Sequence, residues 1–390
     1  MKITAVKAMG LRWECPVMSD AMSVCRARQA LWVKIETDTE LYGIGEAFCY
    51  GSPLSIAKHI VEEQLARVLV GEDPSDIEGL WKKMYWRNVP NGRTGLVMGC
   101  ISGIDIALWD LAGKVAKAPV SSLLGKQNDT VPAYASGGFY APGKGMDGLK
   151  REVDGYLKKG YRDIKIKIGR VPNLTGCAVN YTDSVDFSVT YEEDLSRLKT
   201  VRQMMGNEGR LAADINAAWT AQAVLDAAAD FREAGLNWLE EPILFEEEQN
   251  LRDLREKLGE IQLIGYETAQ GHQNFARLIE GEIMDIVQPD IGWGGGITEL
   301  RKIAKEADKH SKPVSLHSFG SCVHFAASLQ LAASLPNVEA IESEENENML
   351  KSGILKTPFD HDASMAYYVP SLPGLGIAID WEKANQIRVF

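Results

Sequence analysis

Between residues 131 and 342 short apolar runs alternate with amphipathic helical stretches, and this rhythm constrains the chain more than any other feature. The runs fall at 131–137, 163–169, 210–216, 237–241, 262–267, 284–290, 313–317 and 338–342. Helical spacing of apolar residues fills the gaps at 143–158, 191–205, 221–235, 246–258, 273–280, 297–311 and 322–335. Strands that alternate with helices imply parallel pairing through helical crossovers, and eight strands close a barrel. The eighth strand has no full helix after it, so the pattern predicts an α/β fold with a (β/α)7β TIM-type barrel over 126–364.

The first 125 residues read differently. Strand-like segments at 2–13, 29–37 and 41–48 precede helical stretches at 55–70, 75–87 and 95–116, which makes an N-terminal α+β unit. The tail from about 365 to 390, with Pro373-Gly-Leu-Gly376 and a strand-like 377–380, is expected to return to that unit. Residues 170–190 form a long loop after the second barrel strand, and a long loop inside a compact unit is usually functional.

A net charge of -12 argues against nucleic acid, which needs clustered Lys and Arg, but leaves a small anionic substrate open. No apolar run reads as long enough to span a bilayer, and the N-terminus lacks the features of a signal peptide. Cys15, Cys25, Cys49, Cys100, Cys177 and Cys322 are scattered with no C-x-x-C pair, so neither a zinc motif nor a disulfide framework is expected and a reducing cytoplasm fits. The sequons at Asn128, Asn173 and Asn180 are then chance matches.

The active face of such a barrel is the C-terminal end of its strands, and here those ends are charged. Strand two ends in Lys165-Ile-Lys167, strand three in Asp214, strand four in Glu240-Glu241, strand five in Glu267, strand six in Asp290, strand seven in His317 and strand eight in Glu342. The period of two puts both lysines on one face, where each lowers the proton affinity of the other and so favours a base. Asp214, Glu240 and Glu267 would repel one another unless a cation sat among them, and an all-oxygen set suits Mg²⁺. Asp290 and His317 end neighbouring strands, so the carboxylate can fix the imidazole tautomer and make His317 an acid–base residue. Glu241 is expected in a salt bridge or beside the site. His59, His272, His310, His324 and His361 are read as packed or surface groups, and Gly292-Trp-Gly-Gly-Gly296 as a tight turn permitting close approach.

The ordered series KIKIG, ADIN at 213–216, WLEEP at 238–242, GYE at 265–267, QPDIGWGGGITE at 288–299, SLHSF at 315–319 and IES at 341–343, with SGIDIALWDLAGK at 102–114 and the late PGLGI, resembles the mandelate racemase subgroup of the enolase superfamily over essentially the whole length. The resemblance implies an α+β capping domain over the barrel and one Mg²⁺ held by Asp214, Glu240 and Glu267. It implies Lys167 and His317 as bases on opposite faces of a bound acid, and Lys165 and Glu342 at the substrate carboxylate. Asn216 and Ser136 would touch substrate hydroxyls. The long loop at 170–190 exceeds the shorter family pattern.

In this superfamily a Lys or His base works with Mg²⁺ to form an ene-diolate, and Lys165 with a protonated Glu342 would add donors to it. The expected reaction is dehydration of an acid sugar, an aldonate or aldarate, to a 2-keto-3-deoxy acid. A racemase, epimerase or lactone cycloisomerase would share the first step. Segments 14–23, 48–52 and 170–190, with Tyr50 and Tyr181, offer polar and aromatic groups to a hydroxylated substrate. A glycosidase using Glu240 and Glu267 would leave the lysines and the His–Asp pair idle, and a non-catalytic relative would have no need of intact bases. The expected partner is a small carboxylate in a homo-oligomeric enzyme, with neither nucleic acid nor membrane.

Overall fold

The computed structural model describes residues 1–171 and 189–390. The loop expected at 170–190 therefore lies almost wholly outside the described residues, and with it Asn173, Cys177, Asn180 and Tyr181.

The N-terminal unit is an antiparallel meander of β1 (Ile3–Ser19), β2 (Val24–Thr37) and β3 (Tyr42–Ala47). The helices α1 (Leu54–His59), α2 (Ile77–Asn88) and α3 (Leu96–Ala116) follow. β1 and β2 are longer than the apolar alternation suggests, because their pairing runs on past a register shift between Glu14 and Met18 into a hairpin. The expected loop at 14–23 thus shrinks to a tip at 20–23. The stretch 55–70 is not one helix: α1 gives way to a π turn at Ile60–Leu65 and a 3-10 turn at Ala66–Val68.

α3 corrects the expectation about apolar runs. Its 21 residues are long and apolar enough to cross a membrane by length and composition. They lie instead in the core against β3, and 78% of the most apolar window is buried. Two carboxylates within it are enclosed and spoken for. Asp110 accepts from the backbone N–H of Ile44 (2.8 Å) and of Leu375 (2.8 Å), which ties the returning tail to the meander. Asp105 accepts from Thr298 N (2.9 Å) and Thr298 Oγ1 (2.5 Å) in the other unit.

A short α4 (Val120–Leu123) and β4 (Thr130–Val131) lead into the barrel strands β5 (Ala133–Gly137), β6 (Ile164–Lys167), β7 (Leu211–Asp214), β8 (Trp238–Glu240), β9 (Gln262–Gly265), β10 (Ile286–Val287), β11 (Val314–Leu316) and β12 (Val338–Glu344). They form a closed parallel barrel in chain order. Between them run α5 (Gly145–Lys159), α6 (Tyr191–Met205), α7 (Ala221–Glu233), α8 (Glu248–Leu258), α9 (Gly271–Glu280), α10 (Gly296–Lys309) and α11 (Cys322–Ala332). After β12 stands only a π turn at Met349–Gly353. β13 (Tyr367–Tyr368) pairs with β4; the strand-like 377–380 is reduced to a single bridge between Ile379 and Leu355, and α12 (Trp381–Gln386) follows it, begun by an Asp380 side chain that caps Lys383 N. The tail rejoins the N-terminal unit through Arg12 N to Ile387 O (2.9 Å) and Val389 N to Gly10 O (2.8 Å).

The period of two along the strands sorts the barrel interior into layers. Tyr134, Ala212, Trp238, Ile264, Ile286 and Ala340 form an apolar cluster across six strands. Two residues further on in five of these strands come Ser136, Asp214, Glu240, Gln288 and Glu342, all buried. An apolar plug thus floors a polar mouth, and Gln288 joins the two by donating to Tyr134 Oη (3.0 Å) and Glu240 Oε2 (2.8 Å).

Candidate active site

Going round the strand ends, Lys165 and Lys167 stand on β6, Asp214 on β7, Glu240 on β8, Glu267 after β9, Asp290 after β10, His317 after β11 and Glu342 on β12. The three acids expected to hold a metal therefore lie between the lysine strand and the Asp–His pair. Lys165 Nζ bonds Glu240 and lies 3.0 Å from Glu342 Oε1 and 3.7 Å from Asp214 Oδ2; Lys167 Nζ bonds Asp214. His317 Nδ1 is 2.7 Å from Asp290 Oδ2, while its Nε2 faces Glu267 Oε2 at 3.3 Å and Glu342 Oε2 at 3.6 Å. Asn216 donates to Asp214 through its backbone N–H (2.8 Å) and side-chain amide (3.3 Å), and Ser136 bonds Glu342.

Charge is out of balance in this mouth. Buried carboxylates on Asp214, Glu240, Glu241, Glu267, Asp290 and Glu342, with Glu46 behind His324, outnumber the buried groups able to carry positive charge, Lys165, Lys167, His317 and His324. Even with both imidazoles protonated the acids are in excess, and burying unmatched charge is costly. The proton affinities reflect this. Burial, with Asp214, Glu342 and Glu267 around it, pushes Glu240 up to about 8 although Lys165 opposes the shift. Burial raises Glu241 well above the carboxylate range, reinforced by the Glu267 charge, and burial also raises Glu267. His317, which burial alone would lower, is carried up to about 10 by Glu267, Glu342 and Asp290.

Two expectations about ionisation need correction. Lys165 does lower Lys167, as burial does, but Asp214 outweighs both, and the group ends above its ordinary value. Glu342 is not protonated, because Lys165, His317 and Lys167 overcome burial and hold it down at about 2. Of the two places expected for Glu241 the structure shows the one beside the site: it is buried near Glu267 and Asp214 at φ 38°, makes no salt bridge among the described residues, and accepts from Thr268 Oγ1 at 3.4 Å.

The donor set suits a hard divalent cation. Glu267 Oε2 and Asn216 Oδ1 are buried without a hydrogen-bond donor, and acids are in excess around them. Among the described residues no three candidate ligands stand around one point, because Asp214 and Glu240 are drawn onto the lysine ammonium groups.

The N-terminal unit closes over the mouth. Phe48 N donates to Gly292 O (3.2 Å), and its ring packs 4.3 Å from Trp293 and 6.3 Å from His317, centroid to centroid. The hairpin tip docks through paired backbone bonds of Ser19 and Tyr140 and through Arg170 Nη1 to Asp20 O (2.7 Å). Beside it a cavity of about 520 Å³ is bordered by Ser23, Arg28, Phe48, Tyr50 and Phe319, with Ser23 Oγ 2.6 Å from Tyr50 Oη; none of the strand-end acids lines it. The expected contribution of Tyr50 and of the tip is thus located beside the charged mouth.

Two groups at the site escaped the sequence. His324, in the first turn of a mainly apolar α11, is fully buried and touches Asp290 at 3.1 Å. Glu46, an inward-facing acid near the end of β3, bonds the start of the same helix. A charged residue in an apolar helix or strand was the available signal, since such groups stay buried only when partnered.

A closed parallel barrel with an acidic mouth under an α+β unit has clear relatives. The mandelate racemase/muconate lactonizing enzyme N-terminal domain matches residues 3–125, and the enolase C-terminal domain-like family matches 148–384. The chain belongs to the enolase superfamily, in its mandelate racemase/muconate lactonizing enzyme group. It is 34% identical to the arabinonate dehydratase of Saccharolobus solfataricus, over 89% of this chain and 87% of that one. It is 32% identical to the D-galactarolactone cycloisomerase of Agrobacterium fabrum, over 100% and 99%. The crystal structure of the 3,6-anhydro-D-galactonate cycloisomerase from Zobellia galactanivorans superimposes with a TM-score of 0.84 at 26% identity, covering 100% of both chains.

Proposed function

We propose that this chain is a Mg²⁺-dependent acid-sugar dehydratase, removing the α proton of an aldonate or aldarate and expelling the β-hydroxyl to leave a 2-keto-3-deoxy acid. The observation that carries the reading is the ring of strand ends, in which Asp214, Glu240 and Glu267 are flanked by Lys167 on one side and His317 on the other. Those three acids would hold the ion, and the excess of carboxylates in the buried mouth favours a cation there. When bound, it supplies a Lewis acid for the second negative charge that enolisation places on a carboxylate.

The residues of the chain do the rest. With Asp214 and Glu240 engaged, Lys165 and Lys167 lose their principal counter-charges, so Lys167 falls toward the range of a usable base and Lys165 is free to donate to the substrate carboxylate. Ionised Glu342 orients Lys165, and Asn216 and Ser136 border the substrate hydroxyls. His317 Nε2 points into the mouth because Asp290 holds Nδ1, which fixes the tautomer. One member of the Lys167–His317 pair takes the α proton, and the other protonates the departing hydroxyl. Each positioned acid or base contributes roughly 10²–10⁴-fold.

Lactone cycloisomerisation is the second reading, favoured by the end-to-end match to the D-galactarolactone cycloisomerase. Incubating the protein with Mg²⁺ and a panel of aldonates, aldarates and their lactones, in deuterated water, separates the two. Dehydration predicts a 2-keto acid trapped by semicarbazide. Conversion of a lactone without water loss would establish the second reading, and no turnover on any member would refute both.

A further inference from the structure

The proposed chemistry leaves unused an imidazole and a carboxylate sealed beside the Asp290–His317 pair. His324 Nε2 lies 3.1 Å from each oxygen of Asp290, and its Nδ1 lies 3.2 Å from Ser318 Oγ. Asp290 is thus shared by two rings, with Oδ2 at 2.7 Å from His317 Nδ1. Its Oδ1 also accepts from Gly292 N (2.7 Å) and Trp293 N (2.9 Å). An ionised carboxylate only accepts, so both ring nitrogens that face it must carry hydrogen.

His324 is in turn fixed from the N-terminal unit. Glu46 accepts from Ser321 N (3.0 Å), from Ser321 Oγ and from the backbone N–H of His324 (3.2 Å), while Trp32 Nε1 donates to Ser321 Oγ (2.8 Å). The Phe48 ring stands over both imidazoles, its centroid 6.3 Å from His317 and 6.1 Å from His324. Glycines make this approach feasible. A Cβ at Gly320 would lie 2.5 Å from His324 Cβ and 2.8 Å from Glu46 Oε1, and one at Gly292 would lie 3.0 Å from His324 Cδ2.

We propose that His324 is a positioning residue for His317: its Nε2–H fixes the Asp290 carboxylate that in turn holds His317 Nδ1, and Glu46 makes that setting depend on docking of the N-terminal unit. The inference rests on His317 acting as the acid–base group.

The test uses the full chain labelled with ¹⁵N-histidine. Two imidazole N–H protons bonded to Asp290 are expected far downfield in the proton spectrum. His324→Leu should remove one and move the other, and His324→Gln, whose amide can still donate, should return the His317 signal toward its original place. With an acid sugar that the wild-type turns over, kcat should fall roughly 10²-fold in the Leu variant, the scale of a small misplacement of a reacting group, and recover in the Gln variant. KM should stay within about threefold, since the lost interaction acts on the transition state. An unmoved His317 signal in folded His324→Leu overturns the proposal. Should that variant not fold, Asp290→Asn, which preserves volume, must displace both signals, and displacement of the His317 signal alone overturns it equally. If the signals are coupled but the wild-type protein with Mg²⁺ exchanges no α proton of any acid sugar, the base reading falls and this role falls with it.

Discussion

Replacing Asp105 with Asn should change how the stability of the protein depends on pH, because this buried carboxylate is a hydrogen-bonded link between the two units. It accepts from Thr298 N (2.9 Å) and Thr298 Oγ1 (2.5 Å) at the start of α10, and Trp109 Nε1 donates to the same hydroxyl (3.0 Å). Burial, aided by the neighbouring Glu299 charge and opposed by the Thr298 bonds, pushes its pKa from 3.8 up to about 7. The folded chain therefore binds more protons than the unfolded chain between those two values, and stability must fall as pH rises through that window and level off above it. At about 1.36 kcal/mol per unit, the penalty grows by roughly 2–3 kcal/mol between about pH 5 and pH 8. For a chain of this length that is a shift of about 3 °C in thermal midpoint. Asn cannot titrate and can still accept from Thr298 N, so the midpoint difference between variant and wild-type should grow in favour of the variant by about that amount across the range. Parallel curves would show that Asp105 is ionised at no such cost and would refute the argument from burial.

Other expectations are simpler to check. Adding Mg²⁺ at about 100 times its dissociation constant should stabilise the wild-type chain by about 2.7 kcal/mol in calorimetric unfolding, and Asp214→Asn should lose that gain while keeping its fold. Lys167→Ala and His317→Asn should each stop turnover while residual exchange of the α proton survives on the face of the remaining base; normal kinetics in either would remove that residue from the mechanism. Gly320→Ala should cost about 1–3 kcal/mol of stability by forcing His324 and Glu46 apart, and an unchanged melting point would show that the loop yields freely.

Much of this architecture was legible in the sequence because it rests on local periodicity. Strand β7 ends at Asp214 and helix α6 spans Tyr191–Met205, as apolar spacing indicates. The strand ends gave the acids and bases for the same reason: position in a barrel strand is a property of the strand itself. What stayed hidden depends on contacts between segments distant in sequence. His324 reads as a packed residue in a mainly apolar helix until Asp290, 34 residues earlier, is brought against it. Glu46 reads as a strand acid until it meets Ser321, 275 residues away. The ionisation of Glu342 and Lys167 depends on groups from other strands: Lys165, His317 and Lys167 hold Glu342 down, and Asp214 raises Lys167.

Diffraction from crystals grown with Mg²⁺ bears most directly on the account. The prediction is one ion bonded to oxygens of Asp214, Glu240 and Glu267, with Lys167 Nζ and His317 Nε2 facing the same cavity from either side. A cavity in which Asp214 and Glu240 keep both ammonium groups and no ion enters at saturating Mg²⁺ would contradict it.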